Sequence, residues 1–246
     1  MELAVGDSIK EVTGINHFKI FVSTLYAMYS MSPRNVRELS KCAAELAVEI
    51  RKIGKILDTR WVASSYRTVS AVWQNFPTLC QHFVQASTDM TRDSKERSKY
   101  RGLHDKLTSV SFVSDLAVML DALKELKELS EALQKNDTTI VRANRLIVRE
   151  LRIFRSMKEK DGLHVAEAGK AVAVGTFKDV SLRSATKNAV AINKNQFFES
   201  LATNLEKRLS PNADQELINK FKVLDPSPDQ DVAANPASLM HYSARG

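Results

Sequence analysis

Apolar residues recur at helical spacing along most of the chain, and this pattern predicts an all-α fold. Between residues 15 and 30 they fall at i, i+3, i+4 and i+7, the spacing of a helix with one buried face. These residues are Phe18, Phe21, Val22, Leu25 and Met28. Similar patterns predict helices over residues 2–12, 109–135, 138–160, 161–174, 195–209 and 213–223. Residues 175–194 are predicted to be an irregular connector.

Two prolines mark helix starts in the first half of the chain. Ser32 followed by Pro33 is typical of an N-cap and a first helical position. The helix that begins there is predicted to run to about Ile56. Its inward-facing residues would be Val36, Leu39, Ala43, Leu46, Ile50 and Ile53. The next helix is predicted to begin near Asp58-Thr59, and Pro77 is predicted to start another.

Residues 88–108 form the most polar segment of the first half. Their basic residues are Arg92, Lys95, Arg97, Lys99, Arg101 and Lys106, partly offset by acidic residues. A mixed run of this kind indicates a solvated helix face, and a nucleic-acid patch is the alternative. Taken together, the patterns predict about eight to ten helices. We expect residues 1–224 to form one helical domain and the proline-containing residues 225–246 to form a disordered tail.

Composition narrows the class of protein. The chain has 246 residues, 43% of them hydrophobic, and only eight Gly and six Pro, which argues against a turn-rich all-β fold. A formal net charge of +7 suits a polyanionic partner. No apolar run is long enough for a membrane span, and the first residues lack the pattern of a signal peptide. Cys42 and Cys80 fit no metal-ligand spacing and are interpreted as buried thiols in a reducing compartment, cytosol or nucleus.

The helix predicted over residues 138–160 carries the strongest electrostatic signal. Arg142, Arg145, Arg149 and Arg152 fall within an arc of about 80° at 100° per residue. Ile140, Ile147, Leu151 and Phe154 point the opposite way. Such a row of arginines could follow a phosphate backbone. The alternative is a solvated face that pairs with the acidic residues of the preceding helix, which are Asp121, Glu125, Glu128 and Glu131.

Arg60 and Trp61 form a second candidate for nucleic-acid binding. A cation beside a flat ring at a helix start could hold a phosphate and stack on an unpaired base. The alternative is that Trp61 is a core anchor and Arg60 a salt-bridge partner.

Asp58-Thr59-Arg60-Trp61, followed by Val62-Ala63-Ser64-Ser65, resembles the Arg-Trp motif of hAT-superfamily transposases. The chain is most similar to the transposase-derived vertebrate group labelled zinc-finger or SUMO-ligase-like. Other matching stretches begin at Glu2, Thr13, Gly175 and Asn195, so the resemblance covers about residues 2–225. It implies a large all-helical insertion in an RNase H-like core. It also implies that Trp61 stacks on a displaced DNA base, with Arg60 beside the DNA backbone.

The catalytic parts of that family are not matched. Three carboxylates hold its divalent metals, and none of the three can be placed in this chain; two-metal chemistry needs them to converge on one site. Walker, Gly-x-Ser-x-Gly and His-Glu-x-x-His motifs are also missing from the sequence. We therefore expect no catalytic residue, metal, cofactor or small-molecule substrate, and no enzyme activity.

The sequence thus predicts a catalytically inactive, hAT transposase-derived fragment that binds nucleic acid or a protein partner. The resemblance favours the nucleus. Two alternatives stay open: a protein-interaction or self-associating scaffold with no role on DNA, and a truncated transposon-derived product without a selected function.

Overall fold

The computed structural model describes residues 1–57, 60–184 and 190–209. These residues form ten α-helices and one short β-hairpin, so the predicted all-α fold is confirmed. The helices are α1 (Glu2–Glu11), α2 (Thr13–Ser30), α3 (Pro33–Glu45), α4 (Trp61–Gln74), α5 (Phe76–Thr88), α6 (Ser94–Leu107), α7 (Val110–Leu133), α8 (Ile140–Met157), α9 (Leu163–Val174) and α10 (Lys194–Leu209). The hairpin strands are β1 (Thr176–Phe177) and β2 (Val180–Ser181). The predicted helix at 213–223, the domain boundary at 224 and the tail lie outside the described residues.

Helix α7 is the central helix of the core. It packs against α4, α8 and α9, and most of its apolar side chains are buried. Near its start, the ring of Phe112 contacts the rings of Phe18 and Phe21 of α2, with centroids 5.7 and 4.8 Å away. Helix α8 packs in turn against α7 and α10. Among the described residues, no helix is long and apolar enough to cross a membrane.

Helix α3 begins as predicted but ends eleven residues early. The hydroxyl of Ser32 accepts a hydrogen bond from the backbone N–H of Asn35, which caps its start. Its last residue is Glu45, not Ile56. Ala47 has a φ of 53°, and the N–H of Val48 donates to the carbonyl of Ala43 at 3.0 Å. This is the Schellman arrangement that ends helices, here with alanine in place of glycine.

The prediction that residues 46–56 continue α3 is therefore wrong, and the cause is long-range hydrogen bonding. Arg51 exchanges two backbone hydrogen bonds with the side-chain amide of Asn75. The hydroxyl of Thr68 donates to the carbonyl of Gly54 at 3.0 Å. These bonds hold the segment outside a helix and satisfy backbone groups that a helix would have paired internally. Val36 and Leu46, predicted to face inward, are 46% and 39% exposed.

The predicted irregular connector contains the hairpin. Lys178 and Asp179 form its two-residue turn, and both have positive φ values, 49° and 65°. Positive φ at both positions is typical of the type I′ turn, which matches the twist of paired strands. The hairpin buries Phe177 against the rings of Trp73 and Phe76, each with a centroid distance of 4.8 Å. Phe177 and Ile192 of this connector thus belong to the core.

The polar segment 88–108 forms α6 and has the predicted solvated face, with one exception. Lys95, Lys99 and Arg101 are exposed. The side chain of Arg92 is instead only 1% exposed and forms ion pairs with Glu38 and Glu96. A buried arginine requires such partners, because an isolated charge is very costly to remove from water.

Candidate nucleic-acid interface

Helix α8 is built as an amphipathic helix at the edge of the core. Its N-terminus is capped by Thr139, whose hydroxyl accepts a hydrogen bond from the N–H of Arg142 at 3.2 Å. Ile147, Leu151 and Phe154 are buried, as the sequence predicted. Ile140 is 50% exposed, so its predicted inward position is wrong; Val141, the next residue of the same turn, is buried instead.

The four arginines predicted to share a face do so, and we call Arg142, Arg145, Arg149 and Arg152 the arginine face. The last three are exposed. Arg142 is half-buried and donates to the carboxylate of Asp137 at 3.2 Å. Three guanidinium groups are thus presented to solvent on the side of α8 opposite its buried residues. Their role in binding nucleic acid stays a prediction.

Two of the four acidic residues of α7, Asp121 and Glu131, are engaged elsewhere. Asp121 is buried, and its carboxylate accepts hydrogen bonds from the backbone N–H groups of His164 and Val165 and contacts the His164 ring at 2.6 Å. It therefore stabilises the N-terminus of α9, where a negative charge is favoured. Glu131 pairs with Lys127 at 2.8 Å.

Within the arginine face, the charge of Arg149 interacts with that of Glu125 in α7. In the part of the chain that the structure describes, neither Arg149 nor Arg152 forms an ion pair with a carboxylate. The next basic residues along α8 differ, because Arg155 pairs with Glu206 of α10 at 2.6 Å and Lys158 pairs with Glu199. The pairing with α10 thus lies at the C-terminal end of the arginine face.

Glu150 is the feature of this helix that sequence reasoning missed. It follows Arg149 and so turns about 100° away from it, toward α7. The residue is 6% exposed, and its Oε1 atom is buried without a hydrogen-bond partner. Burial, followed by the charge of Glu125, raises the pKa of Glu150 to about 8. A single acidic residue among five arginines in α8 was the available signal.

Arg60 and Trp61 are not brought together with the arginine face. Helix α7 packs against both α4 and α8 and lies between the two candidate sites. Arg60 is exposed at the N-cap of α4, and Asp58 and Thr59 before it lie outside the described residues. Val62 donates its backbone N–H to the carboxylate of Glu2 at 3.2 Å, which supplies the missing cap from α1.

Trp61 lies in the core, with 5% of the residue exposed and its indole N–H buried without a partner. A ring in this position can stack on a base only if the first turn of α4 moves outward. The stacking role implied by the resemblance stays a prediction, and the arginine face is the better exposed of the two candidates.

Metal-binding and nucleophilic chemistry have little basis in the described residues. They contain no group of three or more His, Cys, Asp or Glu side chains that could hold a metal ion. Cys42 and Cys80 are both free and buried. Burial raises the pKa of Cys42 to about 11 and raises that of Cys80 further, so neither thiol is activated as a nucleophile.

Comparison with known proteins adds no assignment. No family model matches the chain, and no solved structure matches it.

Proposed function

We propose that this protein binds the phosphate backbone of DNA through the arginine face of α8 and does not itself cut or join DNA. The observation that carries the proposal is the presentation of Arg145, Arg149 and Arg152 on one exposed face, opposite residues that fix the helix in the core. Arginine suits this role because its planar guanidinium can form two parallel hydrogen bonds to one phosphate.

The dimensions of the face fit a phosphate backbone. Arg145 and Arg152 are seven residues apart, which corresponds to roughly 10 Å along a helix. Phosphates of one DNA strand recur about every 3.4 Å along the duplex axis, so the three exposed arginines span about three of them. Contacts of this kind position a protein on DNA without reading its sequence. The resemblance to hAT transposases supports DNA as the partner, and the lack of matched catalytic carboxylates supports an inactive, transposase-derived module.

The test is fluorescence anisotropy with a labelled DNA duplex at several salt concentrations. The variant R149Q/R152Q removes two exposed charges from the face, and K99Q/R101Q removes two exposed charges from α6 as the matched control. If both arginines contact phosphates, the slope of log K against log salt should fall by roughly 1.8, at about 0.9 per contact. The control should leave the slope nearly unchanged. Equal effects of the two variants would show that only net charge matters and would refute a specific face.

The stacking role of Trp61 needs a separate test that leaves the core intact. The native chain is measured against a DNA hairpin with one unpaired base and against the same hairpin fully paired. Tighter binding of the first hairpin, reduced by Arg60→Gln, would support the Arg-Trp site. Equal affinity for the two hairpins would refute it.

A protein-interaction module is the second candidate, and a cluster of exposed apolar residues favours it. Leu46, Val48 and Val84 are 39%, 47% and 46% exposed and line one groove of about 510 Å³ beside the hairpin. Sedimentation of the native chain over a range of concentrations tests self-association. The variant V48E/V84E should reduce any association, and a native chain that stays monomeric throughout would count against this candidate.

A further inference from the structure

Glu150 follows Arg149 on α8 and turns toward α7, in surroundings that disfavour its charge. It is 94% buried, since 6% of its surface is exposed, and its Oε1 atom has no hydrogen-bond partner. A buried carboxylate oxygen without a donor is costly, because nothing replaces the water that hydrated it. The neutral carboxylic acid is the form that this site favours.

The charged groups that act on Glu150 come from α7 and α8. Glu125 and Glu128 face it from α7, with Asp121 and Lys124 near Glu125, and Arg149 flanks it on α8. The carboxylates that α10 directs toward α8, Glu199 and Glu206, are occupied by Lys158 and Arg155. Two like charges therefore oppose ionisation of Glu150, and one arginine favours it.

Glu125 of α7, like Glu150, is in surroundings that favour its neutral form. It is half-buried, and burial together with the charge of Glu128 raises its pKa. When one carboxyl of such a pair loses its proton, the second is harder to ionise. The pair of Glu125 and Glu150 can thus keep a proton next to the arginine face at neutral pH.

We propose that the carboxyl pair of Glu125 and Glu150 is a pH-dependent switch for the arginine face, which binds phosphate while Glu150 is protonated and weakens when Glu150 loses its proton. This inference rests on the proposed DNA binding. The step is the release of one proton from the Glu150 carboxyl to solvent. The resulting negative charge lies near Arg149, where it attracts that guanidinium and competes with phosphate.

Stability and DNA binding respond to pH in different windows, which allows the two effects to be separated. The folded-state pKa of Glu150 is raised from 4.5 to about 8. Its stabilising contribution is therefore fully present below about 4.5 and is lost progressively as pH rises to about 8. DNA affinity depends on the folded state alone, so the affinity should fall only as pH passes through about 8.

The experiment measures urea unfolding midpoints without DNA from pH 5 to 9, and DNA affinity by anisotropy at fixed salt from pH 6.5 to 9. Native chain should lose affinity on the order of threefold to tenfold between pH 7 and 9, as one added charge near a contact would produce. Glu150→Gln, which keeps the shape of a neutral carboxylic acid, should hold its affinity across that range and show a flatter stability profile.

Two further variants keep the test decisive. Glu125→Gln removes a carboxylate that raises the pKa of Glu150, so it should move the loss of affinity to lower pH. Glu128→Gln, at an exposed position of α7, should move it less. A native affinity that is constant from pH 7 to 9, or equally pH-dependent in Glu150→Gln, would overturn the switch. If native chain binds DNA at no pH while Glu150→Gln still flattens the stability profile, the protonated Glu150 is supported and the proposed function is refuted.

Discussion

Replacing Arg92 by methionine should destabilise the protein more than replacing Arg34, an exposed arginine that pairs with the same carboxylate. The side chain of Arg92 is 1% exposed, and its guanidinium forms ion pairs with Glu38 and Glu96. The guanidinium carbon lies 4.7 Å from the ring centre of Tyr100, and an Nη atom lies 3.4 Å from the amide oxygen of Asn35. These contacts join the turn before α6 to α3 and to α6 itself.

The magnitude follows from what Arg92→Met leaves behind. Glu38 would keep its hydrogen bond to buried His82 at 3.1 Å but would lose the buried cation that offsets its charge. Glu38 and Glu96 are 30% and 39% exposed, so no buried charge is left without a partner, and the loss of charged hydrogen bonds should cost about 1.5–3 kcal/mol. Arg34 provides a matched control, because it pairs with the same carboxylate at 2.7 Å but is 43% exposed. Arg34→Gln should cost only about 0–1 kcal/mol.

Urea unfolding of the native chain and both variants, followed by circular dichroism, measures how much each substitution lowers the free energy of unfolding. The free energy of unfolding must fall with urea concentration at the same slope in all three proteins, since a changed slope signals a change in the unfolded or native state. A loss below about 1 kcal/mol for Arg92→Met, or losses of equal size for the two variants, would contradict the view that burial of Arg92 determines its contribution.

Three further predictions concern the backbone and a buried acid. Gly14→Ala would place Cβ 2.5 Å from the backbone carbonyl oxygen of Ala191 and should lower the free energy of unfolding in urea by about 1–3 kcal/mol. Gly6→Ala has nothing within 4 Å of the added Cβ and should raise that free energy by up to about 1 kcal/mol. Similar effects of the two variants would contradict the packing argument. Ala47→Gly should raise the thermal midpoint and stabilise by about 0.5–1 kcal/mol, because φ is 53° there, and a lowered midpoint would be inconsistent with relieved strain. Burial raises the pKa of Asp115 from 3.8 to about 7, so its stabilising contribution is lost as pH rises through that range. Asp115→Asn keeps the acceptor for the N–H of Ile192 and should flatten the pH dependence of the free energy of unfolding. An unchanged pH dependence would refute this assignment.

Helix starts were predictable because their signals lie within a few residues. Ser32 and Pro33 begin α3 with a side-chain cap and a fixed φ, and Pro77 lies in the first turn of α5. The end of α3 was not predictable in this way. Apolar residues continue at helical spacing past Glu45, but the backbone there bonds to Asn75 of a distant turn.

The candidate sites also include one feature that the sequence could predict and one that it could not. The arginine face could be predicted, since a period of 3.6 residues alone decides which side chains of α8 share a side. The burial of Trp61 could not be distinguished from exposure, because both alternatives place an aromatic ring in the first turn of a helix. Only the packing of the core decided that its ring is 5% exposed.

The sequence by itself therefore determined the all-α class, most helix starts and the row of arginines, because periodicity and capping act over about one or two turns of chain. The tertiary structure decided which charges are buried. Arg92 meets Glu38 across 54 positions of sequence, and Asp121 meets His164 across 43. The pKa of Glu150 is raised because α7, from another part of the chain, packs against α8 and places Glu125 near it. The free energy of a charge depends on everything within several ångströms of it, and the fold alone determines what lies there.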